Sequence, residues 1–214
     1  ILYPTWYTGR HMDNRAAIGV GRALDPSKYF IIVPDMFGNG LSSSPTNTPS
    51  PHDRGRFPLT TTYDNIRAQK RLCEEVFGIK RIRSVVGFSM SAQQAFHWAA
   101  VYPDMVQSIA PICGTAKTSP HDWLHLEGMK RALQADSNWA NGDYEKPPEA
   151  GLRAFHTVSC GWFLSQTYFR NGKYKSFLGT NAKTVADFIE NVISLFSYND
   201  ANNLLAMLAT WQSA

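Results

Sequence analysis

The stretch Val85-Val86-Gly87-Phe88-Ser89-Met90-Ser91-Ala92 constrains this chain more than any other. Two β-branched residues lead into a glycine, and a serine follows where a strand pattern gives way to a helical one. A strand that turns directly into a helix needs small residues on either side of the turn, so that the backbone can pass close to neighbouring elements. Gly87, two before Ser89, and Ser91, two after it, meet that demand. Ala95, Phe96, Trp98 and Ala99 then give an apolar helix, which Tyr102-Pro103-Asp104 closes ahead of the next apolar run.

Around this turn, short apolar runs alternate with helical patterns, and that alternation predicts an α/β architecture with a mainly parallel sheet. Ile1-Leu2-Tyr3 reads as the tail of a strand, Tyr29 to Val33 as a buried strand, Ser84 to Gly87 as a third and Ser108 to Cys113 as a fourth. Asp64 to Phe77 carries Ile66, Leu72, Val76 and Phe77 at helical spacing, and Gly78 ends that helix. Residues 39–58, rich in Ser, Pro, Asn and Gly, form a surface excursion. After Gly114 the character changes: 122–136, 148–169, 183–196 and 201–211 read as helices, with no convincing strand among them. The expected organisation is a core over 1–118 and a helical cap, or lid, over 119–214, inserted where such folds cover their active-site edge.

Composition excludes several classes. A chain of 214 residues, 43% hydrophobic, can bury a sizeable core. Its 21 Lys and Arg against 17 Asp and Glu are spread along the sequence, which predicts a solvated surface and no nucleic-acid partner. No run approaches the ~18 apolar residues of a membrane span. The three cysteines are odd in number and lack metal-ligand spacing, so reduced thiols, no metal and a cytoplasmic location are expected. The first residues lack a signal-peptide layout, and Ile1 is not a start methionine, so a trimmed or unseen N-terminus is expected.

Strand, Gly-x-Ser-x-small, helix is the pattern of a nucleophile elbow, which holds a serine hydroxyl exposed on a strained turn. Ser89 is therefore the candidate nucleophile. Its oxyanion hole would combine the backbone N–H of Met90, at a helix N-terminus, with one from the loop Tyr3-Pro4-Thr5-Trp6-Tyr7-Thr8-Gly9; Tyr7 is favoured there, with Trp6 next to it. Asp35-x-x-Gly38-x-Gly40-x-Ser42 reads as a structural turn. None of the six histidines suits a catalytic base: His11 and His52 precede the nucleophile, His97 lies along its helix, and His121, His125 and His156 fall among the later helices.

The run VVGFSMSAQQAFHWAAVYPDMV, followed by ICGTAKTSP, by Arg131 to Asp136 and by Trp139 to Tyr144, resembles the homoserine O-acetyltransferase family of α/β-hydrolases over nearly the whole chain. The resemblance implies an enzyme with an acyl-serine at Ser89, formed by a Ser-Asp-His triad, with acetyl-CoA as donor and no bound cofactor, and a small hydroxyl compound as acceptor. It also implies substrate contacts from Lys130, Arg131 and Tyr144, and a homodimer. Three departures weaken the case for homoserine. The family's Ser-Met-Gly-Gly is Ser89-Met90-Ser91-Ala92, its carboxylate-holding arginine aligns with Lys130, and its His-Ala-Leu-Thr-Gly loop reads Thr5-Trp6-Tyr7-Thr8-Gly9. The expected acid and base belong to C-terminal strands beyond Ala214, and residues 1–214 alone are expected to be inactive. An esterase or thioesterase without transferase activity, and a non-catalytic scaffold, are the alternatives.

Overall fold

The computed structural model describes residues 1–214, which form two compact units: Ile1–Pro120 together with Asn202–Ala214, and His121–Ala201.

The first unit is built on parallel extended chain. β1 (Val85–Phe88) pairs in parallel with β2 (Ile109–Ile112), Val85 opposite Ile109 and Phe88 opposite Ile112. On the other side of β1, Leu2 bridges in parallel to both Val85 and Ile32. Its amide donates to Ser84 O at 3.0 Å, and Val86 N donates back to Leu2 O at 2.9 Å. The order across the array is thus Ile32, Leu2, β1, β2.

The expected strand over Tyr29–Val33 shrinks to the single bridge at Ile32. Lys28 N and Tyr29 N both turn back onto Asp25 O, and Phe30 lies on the surface against Phe77 with ring centroids 5.5 Å apart. A short helix α1 (His11–Asn14) follows the first extended segment. α2 (Thr62–Arg71) starts at a capping box, in which Thr61 Oγ1 accepts from Asp64 N while Asp64 accepts from Thr61 N. It passes into a π-helical turn over Leu72–Val76 and stops at Gly78, whose φ is +64°. α3 (Met90–Val101) packs on β1, β2 and α2, so its first half is buried almost all round. Leu2, Ile32, Ile66, Ile82, Val85, Ala95, Trp98 and Met105 form one core cluster between these elements.

The second unit is helical: α4 (Pro120–Gln134), which enters it, then α5 (Glu149–Phe163), α6 (Gln166–Arg170) and α7 (Val185–Leu195). The single helix expected over 148–169 breaks at Leu164, and Ser165 caps α6 through Tyr168 N. α4 and α5 come close where Asp136 accepts from Gly151 N at 2.9 Å; a side chain at Gly151 would lie 2.4 Å from Leu133 O. Phe188 anchors the second cluster, with Phe169, Tyr174 and Phe177 against its ring.

α8 (Ala201–Gln212) departs from the sequence-based grouping of 119–214 as one region. From Asn202 onward it belongs to the first unit. Thr210 Oγ1 donates to Thr60 O at 2.8 Å, Thr118 Oγ1 donates to Trp211 O at 2.7 Å, and Trp211 lies against Tyr7. No helix is long and apolar enough to cross a membrane.

Candidate active site

At the end of β1 the backbone of Ser89 takes φ 55° and ψ −126°. A non-glycine residue with positive φ is strained by its own Cβ, and such strain persists only where surrounding structure enforces it. Here Ser89 N donates to Ile112 O at 2.9 Å and Ala92 N donates to Ser89 O at 2.8 Å, so sheet and helix hold the turn from both sides. The turn is tight enough that a Cβ on Gly87 would lie 2.2 Å from Ser91 O. A Cβ on Gly114 would lie 2.5 Å from Ser89 O. Ser89 is half-buried, and its Oγ makes no hydrogen bond. Met90 N–H opens α3 with no side-chain cap from Ser89.

The loop Pro4–Tyr7 is pinned one peptide at a time. Pro4 O accepts from Ser91 Oγ at 2.7 Å and Asn14 Nδ2 at 3.3 Å, while Thr5 N of the same peptide donates to Pro34 O at 3.1 Å. Thr5 O accepts from Gln94 Nε2 at 3.0 Å, and Trp6 O accepts from Gly9 N at 2.9 Å. The Trp6 and Tyr7 amides are left with no acceptor in the protein. The Tyr7 side chain is spent elsewhere: its hydroxyl donates to Leu204 O at 3.2 Å, and burial pushes the phenol well above its ordinary range. Whatever Tyr7 offers a ligand therefore comes from its backbone. Trp6 stands edge-on to Phe88 with centroids 5.9 Å apart.

The glycine-rich turn after Val33 has the structural character expected of it. Asp35 accepts from His11 N, His11 Nδ1 and Asn39 Nδ2, and Gly38 and Gly40 take φ of 87° and 88°.

Lys130, Arg131 and Tyr144 lie in the second unit. Glu127 Oε2 faces Lys130 Nζ at 3.4 Å and Glu127 Oε1 accepts from Arg131 Nε at 2.9 Å, so one carboxylate on the same helix engages both cations. The Tyr144 hydroxyl donates to Asp200. No histidine hydrogen-bonds Ser89. His11 pairs with Asp35, His97 with Gln93 O, His121 and His125 flank the Trp162 ring, and His156 stacks on Phe196. No group of three or more His, Cys, Asp or Glu is placed to hold a metal ion.

In the sequence pattern Ser91 counts only as a small residue and Gln94 has no assigned place; the structure gives them hydrogen bonds to Pro4 O and Thr5 O. The available signal was two adjacent glutamines within an otherwise apolar helix, where an unpaired amide would be costly.

The chain belongs to the alpha/beta hydrolase fold family, whose pattern matches residues 1–211. It is 41% identical to an ethyl acetate hydrolase from Pseudomonas veronii over 99% of this chain and 61% of that protein. The crystal structure of the acetyl esterase MekB superposes with a TM-score of 0.94 at 39% identity, again over 99% of this chain and 61% of that one. A homoserine O-acetyltransferase from Zymomonas mobilis is 35% identical over 70% of this chain and 42% of its own length. The chain thus spans about 61% of the length of its esterase relatives.

Proposed function

We propose that the protein is a serine esterase for short acyl esters of the acetyl type, with Ser89 as nucleophile and the Tyr7 and Met90 amides as its oxyanion hole. The observation that carries this is the strained Ser89 backbone, φ 55° and ψ −126°, with unspent amides in the loop at Trp6 and Tyr7 and at the start of α3. In the reaction, Ser89 Oγ attacks the ester carbonyl carbon as its proton passes to a base, and the π electrons move onto oxygen, where two N–H groups hold the negative charge. Collapse restores the carbonyl, breaks the bond to the alkoxy oxygen and releases the alcohol, which takes the proton. Water then attacks the acyl-serine in the same way, and the carboxylate leaves. We assign the base and its acid partner to residues outside 1–214, since no histidine within this stretch hydrogen-bonds Ser89.

Two observations favour hydrolysis over acyl transfer. The esterase relatives align over 99% of the chain and the acetyltransferase over 70%. The cations expected to hold an amino-acid acceptor are both paired with Glu127. Transfer from acetyl-CoA to a hydroxyl acceptor is the second reading, supported by the 35% identity to the acetyltransferase, and uses the same acyl-serine.

The test is turnover of ethyl acetate or p-nitrophenyl acetate by the full-length protein, with Ser89→Ala expected to lower it about 10³-fold or more. With acetyl-CoA and homoserine supplied together, acetate and free CoA are the expected products. Accumulation of O-acetylhomoserine would replace this proposal with the transferase. Failure of Ser89 to react with a fluorophosphonate would leave the fold as a scaffold.

A further inference from the structure

Three buried side chains form a relay with only one possible polarity. Trp98 Nε1 donates to Gln69 Oε1 at 2.9 Å, Gln69 Nε2 donates to Gln94 Oε1 at 2.7 Å, and Gln94 Nε2 donates to Thr5 O at 3.0 Å. An amide's oxygen and nitrogen can usually be exchanged without changing its shape, but not here. The indole N–H can only donate and the Thr5 carbonyl can only accept, so both amides between them are fixed in orientation. All the side chains involved are at most 4% exposed, so water does not compete for them.

The last bond acts on the oxyanion loop. A peptide is planar and trans, so its C=O and N–H point in opposite directions, and fixing one fixes the other. Gln94 at Thr5 O therefore fixes the Thr5–Trp6 peptide, Ser91 at Pro4 O and Pro34 O at Thr5 N lock the one before it, and Gly9 N at Trp6 O holds the one after it, which carries the Tyr7 N–H. Ser91 and Gln94 are three residues apart on α3, on one face of the helix. That helix begins with Met90, which carries the other proposed donor.

We infer that Ser91 and Gln94, the latter oriented by Gln69 and Trp98, are positioning residues that fix the two peptides leading into Tyr7 and so set the Tyr7 N–H of the oxyanion hole relative to Met90 N–H. The inference rests on the assignment of Ser89 as nucleophile. It gives Ser91 a task beyond smallness: its hydroxyl fastens the loop to the helix behind the nucleophile.

The experiment uses the full-length protein and p-nitrophenyl acetate. Ser91→Ala and Gln94→Leu are expected to lower kcat about tenfold or more, with KM within about twofold, since displacing a catalytic donor acts on the transition state. Binding of a trifluoromethyl ketone, whose adduct places an oxyanion in the hole, should weaken by the same factor as kcat/KM. Trp98→Phe, which deletes the indole N–H and leaves the amides free to turn, should show the same pattern more weakly. If Gln94→Leu does not fold, Ser91→Ala and Trp98→Phe decide. Unchanged kcat in Ser91→Ala, alongside an inactive Ser89→Ala, overturns this inference and leaves the esterase standing. Retained turnover in Ser89→Ala overturns the esterase itself. A loss of kcat that merely tracks the folded fraction, with the ketone bound normally, also overturns the positioning role.

Discussion

Ser89 and Cys113 directly follow the last paired residues of β1 and β2, Phe88 and Ile112. Ser89 N donates to Ile112 O, and both backbones take positive φ, 55° and 52°. Two adjacent parallel strands are thus each followed at once by a strained residue, one bearing a hydroxyl and the other a thiol.

Thiol chemistry should single out Cys113. Cys113 is exposed, whereas Cys73 and Cys160 are buried and burial pushes their thiols up to about 11. The thiolate is the reactive form. In native protein at neutral pH, residues 1–214 should therefore take up one equivalent of a thiol reagent quickly, at Cys113, and the other two only on unfolding. Mass spectrometry of the labelled peptides checks it.

The elbow should not tolerate a methyl group at Gly87. The added Cβ would lie 2.2 Å from Ser91 O, 2.3 Å from Ser91 C and 2.5 Å from Ala92 N, all backbone atoms of a helix that packs on the sheet. Gly87→Ala should cost about 3 kcal/mol or more by urea unfolding, or yield insoluble protein. Gly128→Ala, where nothing lies within 4 Å of the new atom, serves as the control and should be neutral or slightly stabilising.

Acid should weaken the second unit through His156. Burial lowers its pKa from 6.5 to about 4, so it stays neutral in the folded chain and is protonated on unfolding. Between pH 6.5 and about 4 the unfolded state binds more protons, so stability falls as pH falls, and below about 4 this contribution levels off. The total loss is at most about 3 kcal/mol. Burial lowers the His125 pKa as well, and this adds in the same direction. His156→Phe should flatten the slope of unfolding free energy against pH over that window.

Ester turnover should be indifferent to the two cations of α4. Lys130 and Arg131 are both engaged by Glu127, in partly or largely exposed pairs of the kind worth about 0–1 kcal/mol. Lys130→Ala and Arg131→Ala should leave kcat/KM for p-nitrophenyl acetate within about twofold of the parent. A tenfold loss confined to a carboxylate-bearing substrate would instead point to an anchor.

The elbow was readable from sequence because its determinants are local: a glycine two before the serine, a small residue two after, strand propensity on one side and apolar helix on the other. The same holds for β1, β2 and α3. Tyr29–Val33 misled because an apolar run does not say which residues have a neighbouring strand, and Phe30 instead meets Phe77 at the surface. α8 misled for a related reason: its apolar face announces burial without naming the partner, which turns out to be the unit containing Tyr7 and Thr60. Gln94 is not legible in the sequence because its hydrogen-bond partners, Gln69 and Thr5, lie 25 and 89 residues away in the chain.

A hydrogen-bond chain that begins at an atom able only to give and ends at one able only to receive cannot be edited at a single point. Replacing Trp98, Gln69 or Gln94 alone strands the group beside it in a place closed to solvent. Evolutionary drift through this corner of the molecule should therefore be concerted, the three side chains travelling as a set, and any replacement set must still bring a donor to the buried Thr5 carbonyl.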